Sequence, residues 1–231
     1  ALSSAASDVY KRQSLDQFNK ENLNTSLVRY YDGGSPTALW AVRSLGINPS
    51  DGRELFLTKE GTYTFEYDTE DEVVVGNSEP KLEGVLGSTL YWKGFSFSLY
   101  FRYSLGADVF TEATYNKVEN ISLAGLKSNQ DKRALHDRWQ KPGDHAKFKG
   151  ISLTETTPIS SRFVLRENYI KAESISVGYD FESQAVQKLG IQSLRLQANT
   201  TDLFRISSIK EERGIEYPFA RSFSFSLSAM F

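Results

Sequence analysis

Apolar and small polar residues alternate strictly over the end of the chain. Phe223, Phe225, Leu227, Ala229 and Phe231 fall on one side, and Ser222, Ser224, Ser226 and Ser228 on the other. A period of two predicts a strand, because successive side chains point to opposite faces. In a soluble sandwich the apolar row would face a core. A row of hydroxyls opposite a row of aromatics equally suits a membrane barrel, with lipid on one side and a wet lumen on the other. The pattern recurs earlier, where Phe95, Phe97, Leu99, Phe101, Tyr103 and Leu105 alternate with Ser96, Ser98, Tyr100, Arg102 and Ser104. That run matches a tilted bilayer crossing of about 9–11 residues. A sandwich strand is commonly about half as long, so the length favours a barrel.

Further strands are predicted at Ser26 to Tyr31, Thr37 to Leu45, Glu54 to Thr58 and Thr62 to Tyr67, with Lys59-Glu60-Gly61 as a hairpin turn. Leu82 to Trp92 leads through Lys93-Gly94 into the Phe95 strand. Tyr169 to Phe181 carries Ile175, Val177, Tyr179 and Phe181 on one row, and Ser193 to Leu203 sets Leu194, Leu196 and Ala198 opposite Arg195, Gln197 and Asn199. Between 106 and 168 the alternation stops, with short helices expected near Thr111 to Val118 and Lys127 to Gln140. Connections at 93–94 and 182–192, the latter with a helical turn ended by Gly190, are short. Those at 106–168 and 205–217 are long. By strand parity the short ones share one side and the long ones the other, as in barrels with short periplasmic turns and long extracellular loops. The fold class expected is therefore all-β, the C-terminal portion of a large antiparallel transmembrane β-barrel. The alternative is a soluble β-sandwich binding module.

Composition changes this picture little. The 27 basic and 29 acidic residues nearly balance, without the basic excess of a nucleic-acid binder. Cysteine is absent, which removes thiol catalysis, disulfides and zinc–cysteine sites. No apolar run approaches the ~18 residues of a transmembrane helix, and a mean hydropathy of −0.42 is compatible with alternating barrel strands. The 12 Tyr and 15 Phe are plentiful enough for interfacial girdles. The opening Ala1-Leu2-Ser3 has neither an initiator Met nor a signal peptide, so the chain reads as a fragment. Residues 1–25 are expected to be poorly structured or artefactual, Asp8 to Gln13 resembling translated junction sequence.

Candidate chemistry is sparse. Glu66, Asp68, Glu70, Asp71 and Glu72 crowd one stretch, and Asp68, Asp71 and Glu72 are the residues a hard cation would use. They lack the ordered frame of a calcium loop, so a solvated loop is the expectation. His136 and His145 have no standard metal spacing. A barrel lipase or protease would need a nucleophile beside a base, and no Gly-x-Ser-x-Gly occurs. Neither an enzyme nor a cofactor is expected.

The run Asn168-Tyr169-Ile170-Lys171 with Ser176-Val177-Gly178-Tyr179, then Leu189-Gly190-Ile191-Gln192-Ser193-Leu194-Arg195, Asn199 to Phe204 and Tyr217-Pro218, resembles the C-terminus of SusC/RagA-type TonB-dependent outer-membrane receptors. Gly46-Ile47-Asn48-Pro49 with Gly52, Val75-Gly76-Asn77 with Pro80-Lys81, Trp92-Lys93-Gly94-Phe95, and Arg138-Trp139 with Pro142-Gly143-Asp144 follow the same family in order. The resemblance covers about Ser26 to Phe231. It implies a plugged barrel of about 22 strands in the outer membrane of a Gram-negative bacterium, importing oligosaccharides or peptides beneath a SusD-like surface lipoprotein. It also implies energy from TonB through an N-terminal plug and TonB box missing here, and assembly by the barrel-insertion machinery. Within that frame Phe95, Phe97, Leu99, Phe101, Phe223, Phe225 and Leu227 would face lipid, with Phe231 as the insertion signal. Arg102, Arg195, Gln197 and Asn199 would line the lumen. Glycans are held by aromatic faces and planar polar groups, so Trp139, Arg138 and Tyr115 in the long loop are the candidates for substrate or lid contact.

Overall fold

The computed structural model describes residues 2–23, 25–152, 154–181, 188, 190–210 and 221–231. They form two units interleaved along the chain, Ala1–Glu79 with Ala107–Arg166, and Pro80–Gly106 with Glu167–Phe231.

The first unit begins with a helix where little structure was expected. Helix α1 (Leu2–Glu21) holds no Gly or Pro, so nothing in it breaks the backbone ladder. It lacks an apolar stripe, which is why periodicity passes over it. The Asn19 side chain donates to Tyr30 O at 2.8 Å and accepts from Tyr30 N at 2.9 Å, fastening the helix to the following segment. Strands β1 (Ala38–Ile47), β2 (Glu54–Leu57), β3 (Tyr63–Thr64) and β4 (Glu72–Asn77) make an antiparallel sheet in the order β3-β2-β1-β4. The strand expected at Ser26 to Tyr31 contributes an isolated bridge, Val28 to Leu39.

Strand β4 runs through what had read as the end of an acidic loop. Ala41 pairs with Val73 and Leu39 with Gly76, so the three valines after Glu72 belong to a sheet. Their backbone partners lie on β1, beyond the reach of a local pattern.

This unit has two small cores. Leu27, Leu39, Ala41 and Ile159 form one, and Val118, Ala134, Phe148 and Phe163 the other, with Phe110 and Tyr115 packed against both. Connection 111–163 is thus a folded module. It holds α2 (Glu112–Thr114) running into a π turn (Tyr115–Glu119), a 3-10 turn at Gly125–Lys127, and α3 (Arg133–His136).

The second unit is built on one antiparallel sheet, of which residues 107–110 and 164–166 count with the first unit. It contains β5 (Leu82–Trp92), β6 (Phe95–Phe110), β7 (Val164–Phe181), β8 (Ser193–Thr201), β9 (Arg205–Ser207) and β10 (Ser222–Met230), in the order β10-β8-β7-β6-β5 with β9 on β7. Lys93 and Gly94 both have positive φ, 48° and 83°. That is the geometry of a two-residue type I′ turn, whose twist suits a hairpin. It sets Trp92 opposite Phe95 and carries the register to Leu82 opposite Leu105.

In that register Leu86 faces Phe101, Leu90 faces Phe97, Val177 faces Ala198 and Phe225 faces Ala198. The apolar rows of neighbouring strands therefore share a face. This face is open: Leu90 is 63% exposed, Phe97 40% and Phe225 76%, whereas Ser96 and Ser104 on the opposite side are 7% and 5%. A sandwich core within the described residues would invert those values.

One connection differs from expectation. Asp202, at φ 49°, breaks the chain after β8, and β9 resumes pairing with Tyr169 to Lys171 inside what had read as a polar loop. Arg205 holds it there, 2.7 Å from Glu167 and 4.0 Å above the Tyr169 ring. The helical turn expected over 182–190 lies outside the described residues, apart from Lys188 and Gly190, as do 211–220.

Candidate functional site

The long module was expected to present Trp139, Arg138 and Tyr115 outward. It uses all three to hold itself together. Arg138 is only 5% exposed, and its guanidinium donates to the carbonyls of Ala134 (3.2 Å), Lys149 (2.7 Å), Glu119 (3.2 Å) and Val118. Burial lowers its pKa, with the Glu119 charge acting the other way. A guanidinium spent on buried carbonyls is no substrate clamp. Trp139 Nε1 donates to Pro49 O at 2.9 Å, and Gly143 N reaches the same oxygen at 2.8 Å. Its ring lies on Gly52, where a Cβ would stand 2.5 Å from the indole. Tyr115 donates its hydroxyl to Thr157 O at 2.8 Å and packs edge-on against Phe163, and burial pushes its phenol pKa up.

Three charged groups that no motif had flagged meet at this module, two of them within it. Arg162 Nη2 is 2.8 Å from Glu54 and 2.9 Å from Glu119, whose side chains are 2% and 0% exposed. Burial alone would pull the Arg162 pKa down, and the hydrogen bonds to both carboxylates outweigh it and raise the value. Ser160 Oγ donates to Glu54 at 2.6 Å and Thr157 Oγ1 to Glu119 at 3.0 Å, so the carboxylates are well satisfied. The residues come from three distant stretches, so no sequence window contains them together. A cavity of about 520 Å³ lies beside this network, lined by Gly46, Thr111, Arg133, Asp137, Phe148 and Phe163 among others.

The carboxylates of the acidic stretch are held by different neighbours. Asp68 accepts from Glu70 N at 2.9 Å and Asp71 from Lys59 N at 2.9 Å, each closing a turn. Glu72 takes a bidentate pair from Arg29 at 2.8 and 3.0 Å, both side chains buried. Asp68, Asp71 and Glu72 thus have separate partners, and no group of metal-capable side chains occurs among the described residues. His136 and His145 are exposed.

The second unit gathers the polar side chains that had been expected to line a lumen. Arg195 Nη2 donates to Ser96 Oγ at 3.0 Å, with Asp180 3.6 Å away. Gln197 Nε2 donates to Ser176 Oγ and Asn199 Oδ1, both at 2.9 Å. Arg102 gives two hydrogen bonds to Glu173 Oε1, at 2.8 and 3.0 Å. The hydroxyls of Thr89 and Ser98 are 3.1 Å apart. The sequence missed the relation of Tyr100 to β5, where it faces Gly87 in register. An aromatic within a row of serines, facing a glycine, was the available signal.

An antiparallel sheet with an open apolar face and a hydrogen-bonded polar face has the pattern of a β-barrel wall. Comparisons with known proteins agree. No family model matches the chain. TonB-dependent receptor P39 of Formosa agariphila is 24% identical over 161 residues, covering 68% of this chain and 15% of its own length. TonB-dependent receptor P3 of the same organism is 25% identical over 173 residues, covering 75% of this chain and 16% of its own. The RagAB peptide importer in its open-open state superposes with a TM-score of 0.62 at 16% identity, over 77% of this chain and 19% of that one. The RagAB peptide transporter gives 0.64 at 16%, over 76% and 20%. The structural likeness concerns the fold. Together with the ordered motifs, the matches support a SusC/RagA-type TonB-dependent receptor fragment. It spans about 15–16% of the length of the curated relatives it matches.

Proposed function

We propose that the chain forms a stretch of barrel wall and an extracellular loop module in an outer-membrane receptor. The receptor imports oligosaccharides or peptides by active transport, without catalysing a reaction on them. Energy would come from TonB through the plug-bearing part of the receptor, and a SusD-like lipoprotein would close over the loops. That the relatives are TonB-dependent receptors and the structural neighbour a peptide importer supports this reading.

The open apolar face carries it. Phe95, Phe97, Leu99 and Phe101 on β6, and Phe223, Phe225 and Leu227 on β10, would cost free energy in water and gain it in lipid. Phe231, 79% exposed, is assigned in the same reading to recognition by the insertion machinery. Substrate or lid contact passes from the buried Arg138 to the cavity rim beside Arg133 and Asp137. Fractionation of the complete receptor tests the assignment. Phe225→Asp is expected to deplete it from the outer membrane, and Phe231→Ser to slow its assembly. Normal outer-membrane levels of Phe225→Asp would remove the lipid-facing role.

A further inference from the structure

The hairpin at Lys93-Gly94 carries a first residue that its own turn chemistry does not ask for. A type I′ turn favours Asn or Asp ahead of glycine, because their short polar side chains tolerate the left-handed region. Lys93 stands there at φ 48°. A long aliphatic stem gains nothing from that backbone, so the reason for a lysine lies at its far end.

That end lies over the neighbouring indole. Lys93 Nζ stands 5.2 Å from the centre of the Trp92 ring, a cation–π distance. Trp92 closes the apolar row of β5 and is 63% exposed. It pairs across the hairpin with Phe95. The Phe95 ring meets Tyr179 at 4.5 Å, and Tyr179 meets Phe181 edge-on at 4.7 Å. Four aromatics thus gather at the hairpin end of the apolar face, with a cation over Trp92. The adjoining Asp180 donates its N–H to Gly94 O at 2.8 Å, while its carboxylate lies 3.6 Å from Arg195 on the polar face. The negative charge beside the hairpin is thus matched on the other side of the sheet, and the Lys93 amine is left to the apolar side.

The length of the apolar face puts this cluster at a membrane boundary. Ten residue steps separate the Trp92–Phe95 pair from the Leu82–Leu105 pair. At about 3.3 Å per residue and a strand tilt of about 40°, they rise about 25 Å, the height of the apolar band of an outer-membrane barrel. Interfacial aromatics sit at headgroup level, and a lysine amine beside them lies among lipid phosphates.

We propose that Trp92 and Lys93 form a clasp for the phosphate of an anionic phospholipid in the periplasmic leaflet. The amine pairs with the phosphodiester, and the indole holds the amine at headgroup depth. The inference rests on the reading of this sheet as barrel wall.

The test uses the complete receptor in detergent micelles, with bound lipid counted by native mass spectrometry. Titrants are phosphatidylglycerol, diacylglycerol with the same chains, and inorganic phosphate. Lys93→Asn removes the charge with a residue that suits the turn better, and is expected to weaken the binding of one phosphatidylglycerol about fivefold. Lys93→Arg keeps the charge and is expected to retain that lipid. Trp92→Leu keeps an apolar contact without a ring under the amine, and is expected to weaken the same binding roughly two- to fivefold. Diacylglycerol, which has no phosphate, is expected to bind every form alike. Unchanged heat-modifiable gel mobility certifies the fold of the variants. The clasp is overturned if Lys93→Asn binds phosphatidylglycerol as tightly as Lys93→Arg, or if Trp92→Leu binds it as the unaltered receptor does. It is equally overturned if diacylglycerol suffers the same loss, or if inorganic phosphate binds with the same dependence on Lys93. Fractionation reads the wall assignment separately: a receptor found in the outer membrane whose phosphatidylglycerol binding ignores Lys93 would lose the clasp and keep the wall.

Discussion

Gly52 and Trp139 illustrate what single residues contribute. Gly52 sits at φ +73°, in the left-handed region, beneath the Trp139 indole. Any side chain there meets both backbone strain and a ring. Gly52→Ala is expected to cost at least about 1 kcal/mol from the backbone, plus whatever the displaced indole loses. Limited proteolysis of the complete receptor should then cut the 130–150 region faster, and unchanged cleavage would refute the latch. Both residues were visible in the sequence as members of ordered motifs. Their contact was not, because the hydrogen bond that accompanies it spans 90 residues of chain. The burial of Arg138 was hidden from the sequence for a related reason. A guanidinium in a loop reads as available, and only the fold brings four carbonyls around it.

Among elements, long alternating strands were legible and short paired ones were not. The runs that became β5, β6, β8 and β10 specify both their type and their inward face, since a one-residue slip would exchange the two rows. β4 begins at an acidic residue and β9 has three residues, so their existence depends on partners elsewhere. The hairpin at Lys93-Gly94 joins both levels, being local in sequence and decisive for register. Gly94 has φ +83°, and a Cβ on it would lie 2.9 Å from Asp180 O. Gly94→Val in the complete receptor is expected to lower the folded fraction on heat-modifiable gels, because the type I′ turn requires positive φ at both central positions. An unchanged fraction would show that the strands set the register without the turn.

The whole molecule depends on charges that meet from afar. Glu54 and Arg162 are 108 residues apart, and the pair is largely buried. Glu54→Ala leaves Arg162 with one carboxylate, and is expected to cost about 3 kcal/mol, the lower end for breaking a buried pair. Thermal unfolding of the complete receptor measures it, and a shift within error would show that water replaces the lost carboxylate. The same separation bears on assembly order. Each unit is split in the chain, with Pro80–Gly106 inserted between the halves of the first. Glu54 therefore waits, unpaired, until the β5–β6 hairpin and the whole following module have emerged. Closing so long a loop is slow, since entropy is lost before any contact returns it. The first half of that unit is therefore expected to stay incompletely packed until residue 162 arrives.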